Sequence, residues 1–271
     1  MYVEINGVTY AYDIVGKGIP ILLLHGFTGT RSTWKSFVQA WQDEFQIITI
    51  DLPGHGETKI SSPRTMAACC HDLAQFCRYL GITSLHVVGY SMGGRTALSF
   101  ATQYPSLIRS LTLESASPGL RTEEERVTRR EQDERLATKL ETEGIEAFVN
   151  EWENIPLFAS QQKLPRHIQQ VIRHERLSQS AIGLAASLRG MGTGSQPSWW
   201  EDLHTLDFPI LLIVGALDHK FVKINTQMEK YLKRGQLTMI DDAGHAVHIE
   251  RPQLFNEQVG QFIQESERQY R

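Results

Sequence analysis

The sequence predicts an α/β fold: a mostly parallel central sheet with an N-terminal antiparallel hairpin, helices on both faces and an inserted helical lid. Three observations lead there. Short apolar runs such as Ile21 to Leu24 and Ile210 to Val214 alternate with longer stretches of helical periodicity, the pattern of parallel strands buried on both faces. An Asn6-Gly7 dipeptide separates two strand-like runs at the start of the chain. From about Gly119 to Trp200 no strand-like run occurs, and Gly144, Pro156, Pro165 and the Gly190 to Gly194 cluster divide the segment into helices.

In chain order, Tyr2 to Ile5 and Val8 to Ile14 form the hairpin, because Asn-Gly best supports the positive dihedrals of a two-residue turn. Pro20 to Leu24 is a strand, Ser32 to Gln42 a helix, Gln46 to Ile50 a strand, Arg64 to Leu80 a longer helix and Leu85 to Val88 a strand. The series continues with a helix over Thr96 to Gln103 and a strand over Ile108 to Leu113. Strands at Ile210 to Val214 and Leu237 to Ile240 follow the insertion, and a helix over Gln253 to Glu265 closes the chain. The expected core is residues 1–118 and 201–271, with 119–200 as a helical cap between core strands. Thr122-x-x-Glu125 is a capping box opening the first cap helix. That helix has few apolar residues, chiefly Val127, Leu136 and Leu140, and therefore reads as a lid over something polar. Its Arg126, Arg129, Arg130 and Arg135 are then either pocket residues or one solvated face balanced by neighbouring acids.

Composition narrows the function. The 271 residues carry 31 acidic and 27 basic side chains, a formal charge of −4, and 41% are apolar, which suits one large core and supplies no basic field for nucleic acid. The longest apolar runs fall far short of the ~20 residues of a bilayer span, and Met1-Tyr2-Val3-Glu4 lacks a charged region leading into an apolar one. We expect a cytoplasmic protein without membrane insertion. Cys69, Cys70 and Cys77 cannot form an even disulfide framework and read as buried thiols, with Cys70 and Cys77 on one helix face. His245 and His248 lack the Glu of a helical zinc-hydrolase motif, and no metal or cofactor is expected.

Gly89-Tyr90-Ser91-Met92-Gly93 lies between the Leu85 to Val88 strand and a helical stretch, the context in which G-x-S-x-G is a nucleophile elbow. A serine hydroxyl is weak at neutral pH and needs a histidine to take its proton and an acid to hold the imidazole. Asp218 follows the Ile210 to Val214 strand and His245 the Leu237 to Ile240 strand, giving the order Ser, acid, His at the carboxyl ends of strands. Glu114 and Asp241 are rival acids, and His219 and His248 rival bases. The backbone N–H groups of Phe27 and Met92 are the expected oxyanion donors. Asp51-Leu52-Pro53-Gly54-His55-Gly56, the loop after the next strand, either completes this set of motifs or is a plain turn with an exposed His. Arg95, one turn beyond Ser91 on the same helix face, suits an anionic substrate, since its planar fork binds carboxylate bidentately. The alternative is a helix-surface arginine paired with a nearby acid.

These motifs together resemble the α/β-hydrolase superfamily over essentially the whole chain. The elbow ending in Arg95, Pro118-Gly119-Leu120 followed by Arg126 through Arg130, and the Trp152 to Phe158-Ala159-Ser160 segment resemble more narrowly the 2-succinyl-6-hydroxy-2,4-cyclohexadiene-1-carboxylate (SHCHC) synthases of menaquinone biosynthesis. The resemblance implies a lyase that eliminates pyruvate from a small-molecule tricarboxylate. It implies Arg95, Arg129 and Arg173 as anion-binding residues and Tyr90, Trp152, Lys220, Phe221 and His25 as further substrate contacts. A monomer or weak homo-oligomer is expected. A serine hydrolase of carboxylated esters or C–C bonds would use the same triad, and a non-enzymatic receptor on this fold would also retain it but with an apolar pocket.

Overall fold

The computed structural model describes residues 1–270. Two strands, β1 (Tyr2–Ile5) and β2 (Val8–Val15), form the antiparallel edge. They are joined by Asn6 and Gly7 with φ of 50° and 78°, as a two-residue hairpin of this twist requires. The chain continues through β3 (Pro20–Leu24), α1 (Lys35–Trp41), β4 (Gln46–Ile50), α2 (Met66–Tyr79), β5 (Leu85–Tyr90), α3 (Met92–Gln103) and β6 (Ile108–Glu114). An insertion of α4 (Glu123–Trp152), α5 (Arg166–Leu177) and α6 (Ala181–Met191) precedes β7 (Ile210–Gly215), α7 (His219–Glu229), β8 (Gly235–Ile240), α8 (Val247–Glu250) and α9 (Pro252–Tyr270). The strand order is β1-β2-β4-β3-β5-β6-β7-β8, parallel from β4 onward.

Both sheet faces are covered, which is why the central strands are apolar throughout. Leu22, Ile48 and Val87 face Leu73, Phe76 and Phe100 of α2 and α3, while Ile21, Leu23 and Ile213 face Phe37 of α1 and Phe255 and Val259 of α9. All three cysteines are buried in α2. Among the described residues no helix is long and apolar enough to cross a membrane.

Several elements differ from expectation at their ends. The helix expected from Thr96 starts at Met92, because Gly93 and Gly94 pack tightly enough to sit inside it despite their low helix propensity. The helix expected from Ser32 opens as a 3-10 turn over Arg31–Trp34 capped by Thr30, and the last helix runs five residues past Glu265. In the insertion, α4 carries the Thr122–Glu125 capping box and bends at Gly144, where φ is 82°. Its few apolar residues are concentrated: Ala137, Leu140, Phe148 and Val149 meet Leu184, Ala185 and Leu188 of α6 in a small separate core.

Candidate active site

Ser91 stands between β5 and α3 with φ 50° and ψ −107°, a backbone a serine keeps only when its surroundings impose it. The turn is fixed from both sides. The Ser91 N–H donates to the Glu114 carbonyl at 2.8 Å, and the Arg95 N–H donates to the Ser91 carbonyl at 2.9 Å. A Cβ on Gly93 would lie 2.0 Å from the Leu24 carbonyl oxygen, so the elbow can press against β3 only with glycine there.

The Ser91 hydroxyl donates to His245 Nε2 at 2.9 Å, and His245 Nδ1–H donates to Asp218 Oδ2 at 2.7 Å. An ionised carboxylate only accepts, so Asp218 places the imidazole proton on Nδ1 and leaves Nε2 free to take the serine proton. Asp218 is itself held, because its other oxygen caps α7 by accepting the Phe221 N–H at 3.2 Å. His245 is 1% exposed, wedged between the Tyr90 and Phe221 rings at 5.4 and 4.7 Å.

The rival groups lie elsewhere. Glu114 and His248 form their own buried pair, Nδ1 donating to Oε2 at 2.8 Å and the His248 N–H donating to Oε1 at 3.0 Å. Asp241 and His219 are exposed.

Ser91 and His245 open onto a cavity of about 330 Å³, walled by Phe27, Tyr90, Trp152 and Phe221 among others. Phe27 and Met92 flank the serine, and among the described residues neither N–H has a protein acceptor. Arg95 reaches the cavity with one Nη1 tied to the Met191 carbonyl at 2.9 Å and to Gln196 Oε1 at 2.5 Å. Both partners are neutral, so among the described residues Arg95 has no carboxylate partner and the helix-surface alternative does not hold. Enclosure pushes its guanidinium down to about 10, the charge of nearby Arg129 acting in the same direction and Asp133 against it; it stays charged at neutral pH. Arg129 also lines the cavity, its Nε donating to buried Asp133 at 2.8 Å. Arg126 and Arg130 instead pair with Glu123 on the outer face. Lys220 sits at the rim. Trp152 stacks on Phe148 at 5.3 Å and buries an indole N–H that lacks a protein partner among the described residues. Tyr90 is held protonated, its hydroxyl pushed well above the ordinary range by burial and then by Glu114.

Two expected contacts are not in the cavity. Arg173 is tied to Glu153 at 2.5 Å and Asn150 at 2.7 Å and faces a separate polar groove with Gln161 and Arg176. His25 is fully buried and takes the Leu52 N–H on Nε2 at 2.9 Å while Nδ1–H donates to the Gly26 carbonyl at 2.8 Å; with both nitrogens committed it fixes loops and cannot meet a substrate. His55 likewise is buried, not an exposed turn residue, and burial pushes its imidazole down to about 3. Conversely, Arg121, Ser115 and Trp200 line the cavity without having been singled out in the sequence. Ser115 could have been found as the residue ending the strand next to the elbow, whereas Trp200 carries no local signal. Among the described residues no group of three His, Cys, Asp or Glu is arranged to hold a metal ion.

Comparison with known proteins finds relatives along most of the chain. Residues 19–252 match the family described as alpha/beta hydrolase fold. A Bacillus subtilis protein provisionally designated a 2-succinyl-6-hydroxy-2,4-cyclohexadiene-1-carboxylate synthase is 43% identical over 95% of this chain and 96% of its own. The synthase of that name from Enterobacter sp. (strain 638) is 31% identical over 92% of each chain. The solved structure of MenH from S. aureus is similar at a TM-score of 0.91 and 36% identity, covering 95% of this chain and 98% of that one.

Proposed function

The chain belongs to the alpha/beta hydrolase fold family and within it to the SHCHC synthases, and from that premise we propose that it is the lyase of menaquinone biosynthesis that releases pyruvate from 2-succinyl-5-enolpyruvyl-6-hydroxy-3-cyclohexene-1-carboxylate. The observation that carries this reading is the pairing, in one cavity, of a serine–histidine–aspartate relay with guanidinium groups from Arg95 and Arg129. A receptor for an apolar ligand gains nothing from a desolvated arginine without a carboxylate partner, whereas a polycarboxylate supplies that partner on binding.

The reaction needs a base and a place for developing charge. His245 draws the proton from Ser91, and the serine oxygen removes a proton next to the succinyl carbonyl. Electrons move through the ring, the C–O bond to the enolpyruvyl group breaks, and the departing enolate takes the proton held on His245, so that pyruvate leaves as its enol and the relay returns to its starting state. Charge gathering on the succinyl oxygen is met by the Phe27 and Met92 amides. Arg95 and Arg129 orient carboxylates, with Tyr90, Trp152, Lys220 and Phe221 shaping the wall. The step is an elimination and passes through no acyl-enzyme.

The test is to incubate the purified protein with the enolpyruvyl cyclohexene substrate and follow pyruvate by a coupled dehydrogenase, with Ser91→Ala as control. Rapid, serine-dependent pyruvate is expected. Its absence from folded protein would overturn the lyase reading and leave a hydrolase of carboxylated esters or diketones to be screened.

A further inference from the structure

The mouth of the cavity carries a guanidinium that neither the relay nor the arginines implied by the family account for. Arg121 lies face-on over the Trp200 indole, 3.7 Å from the ring centre, with the Tyr231 ring 5.7 Å away. Its platform is rigid. Trp200 Nε1–H donates to the Gly119 carbonyl at 3.0 Å, and the Trp199 N–H donates to the Pro118 carbonyl at 2.7 Å. Gly119, with φ 97°, makes the reversal that folds Arg121 back over Trp200; a Cβ there would meet the Pro197 carbonyl oxygen at 2.7 Å.

Stacking occupies the face of the guanidinium and leaves its N–H edge available. Among the described residues that edge makes no hydrogen bond or ion pair with protein; nearby Glu125 feels the charge, yet its Oε2 accepts the Thr122 N–H at 2.9 Å. Arg126 and Arg130, by contrast, are satisfied by Glu123, and Arg129 by Asp133. With Arg173 tied to Glu153 in the other groove, Arg121 is a third arginine lining the cavity.

We infer that Arg121, pre-oriented by Trp200, is an anion-binding residue that receives a substrate carboxylate at the cavity mouth and sets the preference for polycarboxylates. This rests on the function proposed above. It is tested with Arg121→Gln and Arg121→Lys by pyruvate-release kinetics at low and high salt, by calorimetric titration of propane-1,2,3-tricarboxylate as a turnover-independent probe, and by thermal unfolding.

Arg121→Gln is expected to raise KM and the probe's Kd roughly tenfold while kcat stays within about twofold and Tm within about 2 °C. The KM effect should shrink with salt because the mouth is solvated. Arg121→Lys should recover part of the affinity, since it keeps the charge but loses the fork. Unchanged KM and Kd in Arg121→Gln would overturn the inference. Equal losses in both variants accompanied by a fall in Tm would also overturn it, reducing the stack to a clasp between insertion and sheet. If the wild type releases no pyruvate, the lyase reading fails on its own, and the titration still decides Arg121: probe binding that Arg121→Gln weakens supports it, and an absent or unaltered signal rejects it.

Discussion

The strand ends and the helical insertion hold their charged side chains by opposite means. At the strand ends, Asp218 and Glu114 are buried and each accepts a backbone N–H as well as a histidine, so their positions follow from the sheet itself. In the insertion, Arg129, Arg173 and Arg189 stay about a third exposed and are steadied by side-chain carboxylates of α4 or, for Arg173, by Glu153 just past its end. Backbone anchoring gives a relay with little freedom to drift. Side-chain anchoring leaves Arg129, the one of the three that lines the cavity, able to exchange its protein carboxylate for one on the substrate. The chemistry and the choice of substrate thus rest on differently rigid parts of one molecule, and perturbing each should separate them.

The largest effect belongs to the strand ends. Ser91→Ala is expected to lower kcat by about 10³-fold or more with Tm scarcely altered, measured as pyruvate release alongside thermal unfolding. A residual rate within tenfold of wild type would show that the relay is not the base and dissolve the contrast. Next comes Arg95, which grows from the elbow helix yet serves the wall. Arg95→Ala is expected to reduce kcat/KM on the carboxylated substrate by on the order of 10², while any hydrolysis of a small neutral ester is unchanged. Equal losses on both would mean that Arg95 supports the elbow and not the anion.

How far the sequence reveals each region follows from the same difference. That Ser91, Asp218 and His245 would meet is readable because each follows an apolar run, and parallel strands bring their carboxyl ends together. Arg95 is readable from its place one turn past the serine. The insertion is less transparent because helix spacing tells which residues share a face but not where that face points. Arg129 and Arg130 are adjacent, yet one lines the cavity and the other pairs with Glu123 outside. Arg121 depends on Trp200, 79 positions away, and on the Gly119 reversal, neither of which has a local signature. His25 misleads for a different reason: it lies two residues before Phe27, but its nitrogens are used by Leu52 and Gly26.

The sheet region also stores buried histidines, which gives it a sensitivity to acid. Burial pushes His25 and His86 down to about 4 and His55 to about 3, from an ordinary 6.5. The unfolded chain therefore binds more protons than the folded one between pH 6.5 and about 4, so stability is full above that window and falls as the pH drops through it. Thermal unfolding should show Tm lower at pH 5 than at pH 7.5 by on the order of several degrees. A Tm that is flat or rises across this interval would contradict neutral burial.

The smallest expected effect is the sharpest test of the comparison. Arg173 is an arginine that the family resemblance implies for anion binding, but here its guanidinium spans Glu153 and Asn150 and faces the second groove. A partly exposed pair of this kind contributes at most about 1 kcal/mol to stability. Arg173→Ala should then leave KM for the carboxylated substrate within about twofold of wild type and Tm nearly unchanged. A large rise in KM would require α5 to turn so that Arg173 releases Glu153 and enters the cavity when substrate binds. The double variant Arg173→Ala with Glu153→Gln separates the two cases: if Glu153 competes with a substrate carboxylate for the guanidinium, Glu153→Gln alone lowers KM and the double variant loses that gain, whereas a surface pair leaves all three variants alike.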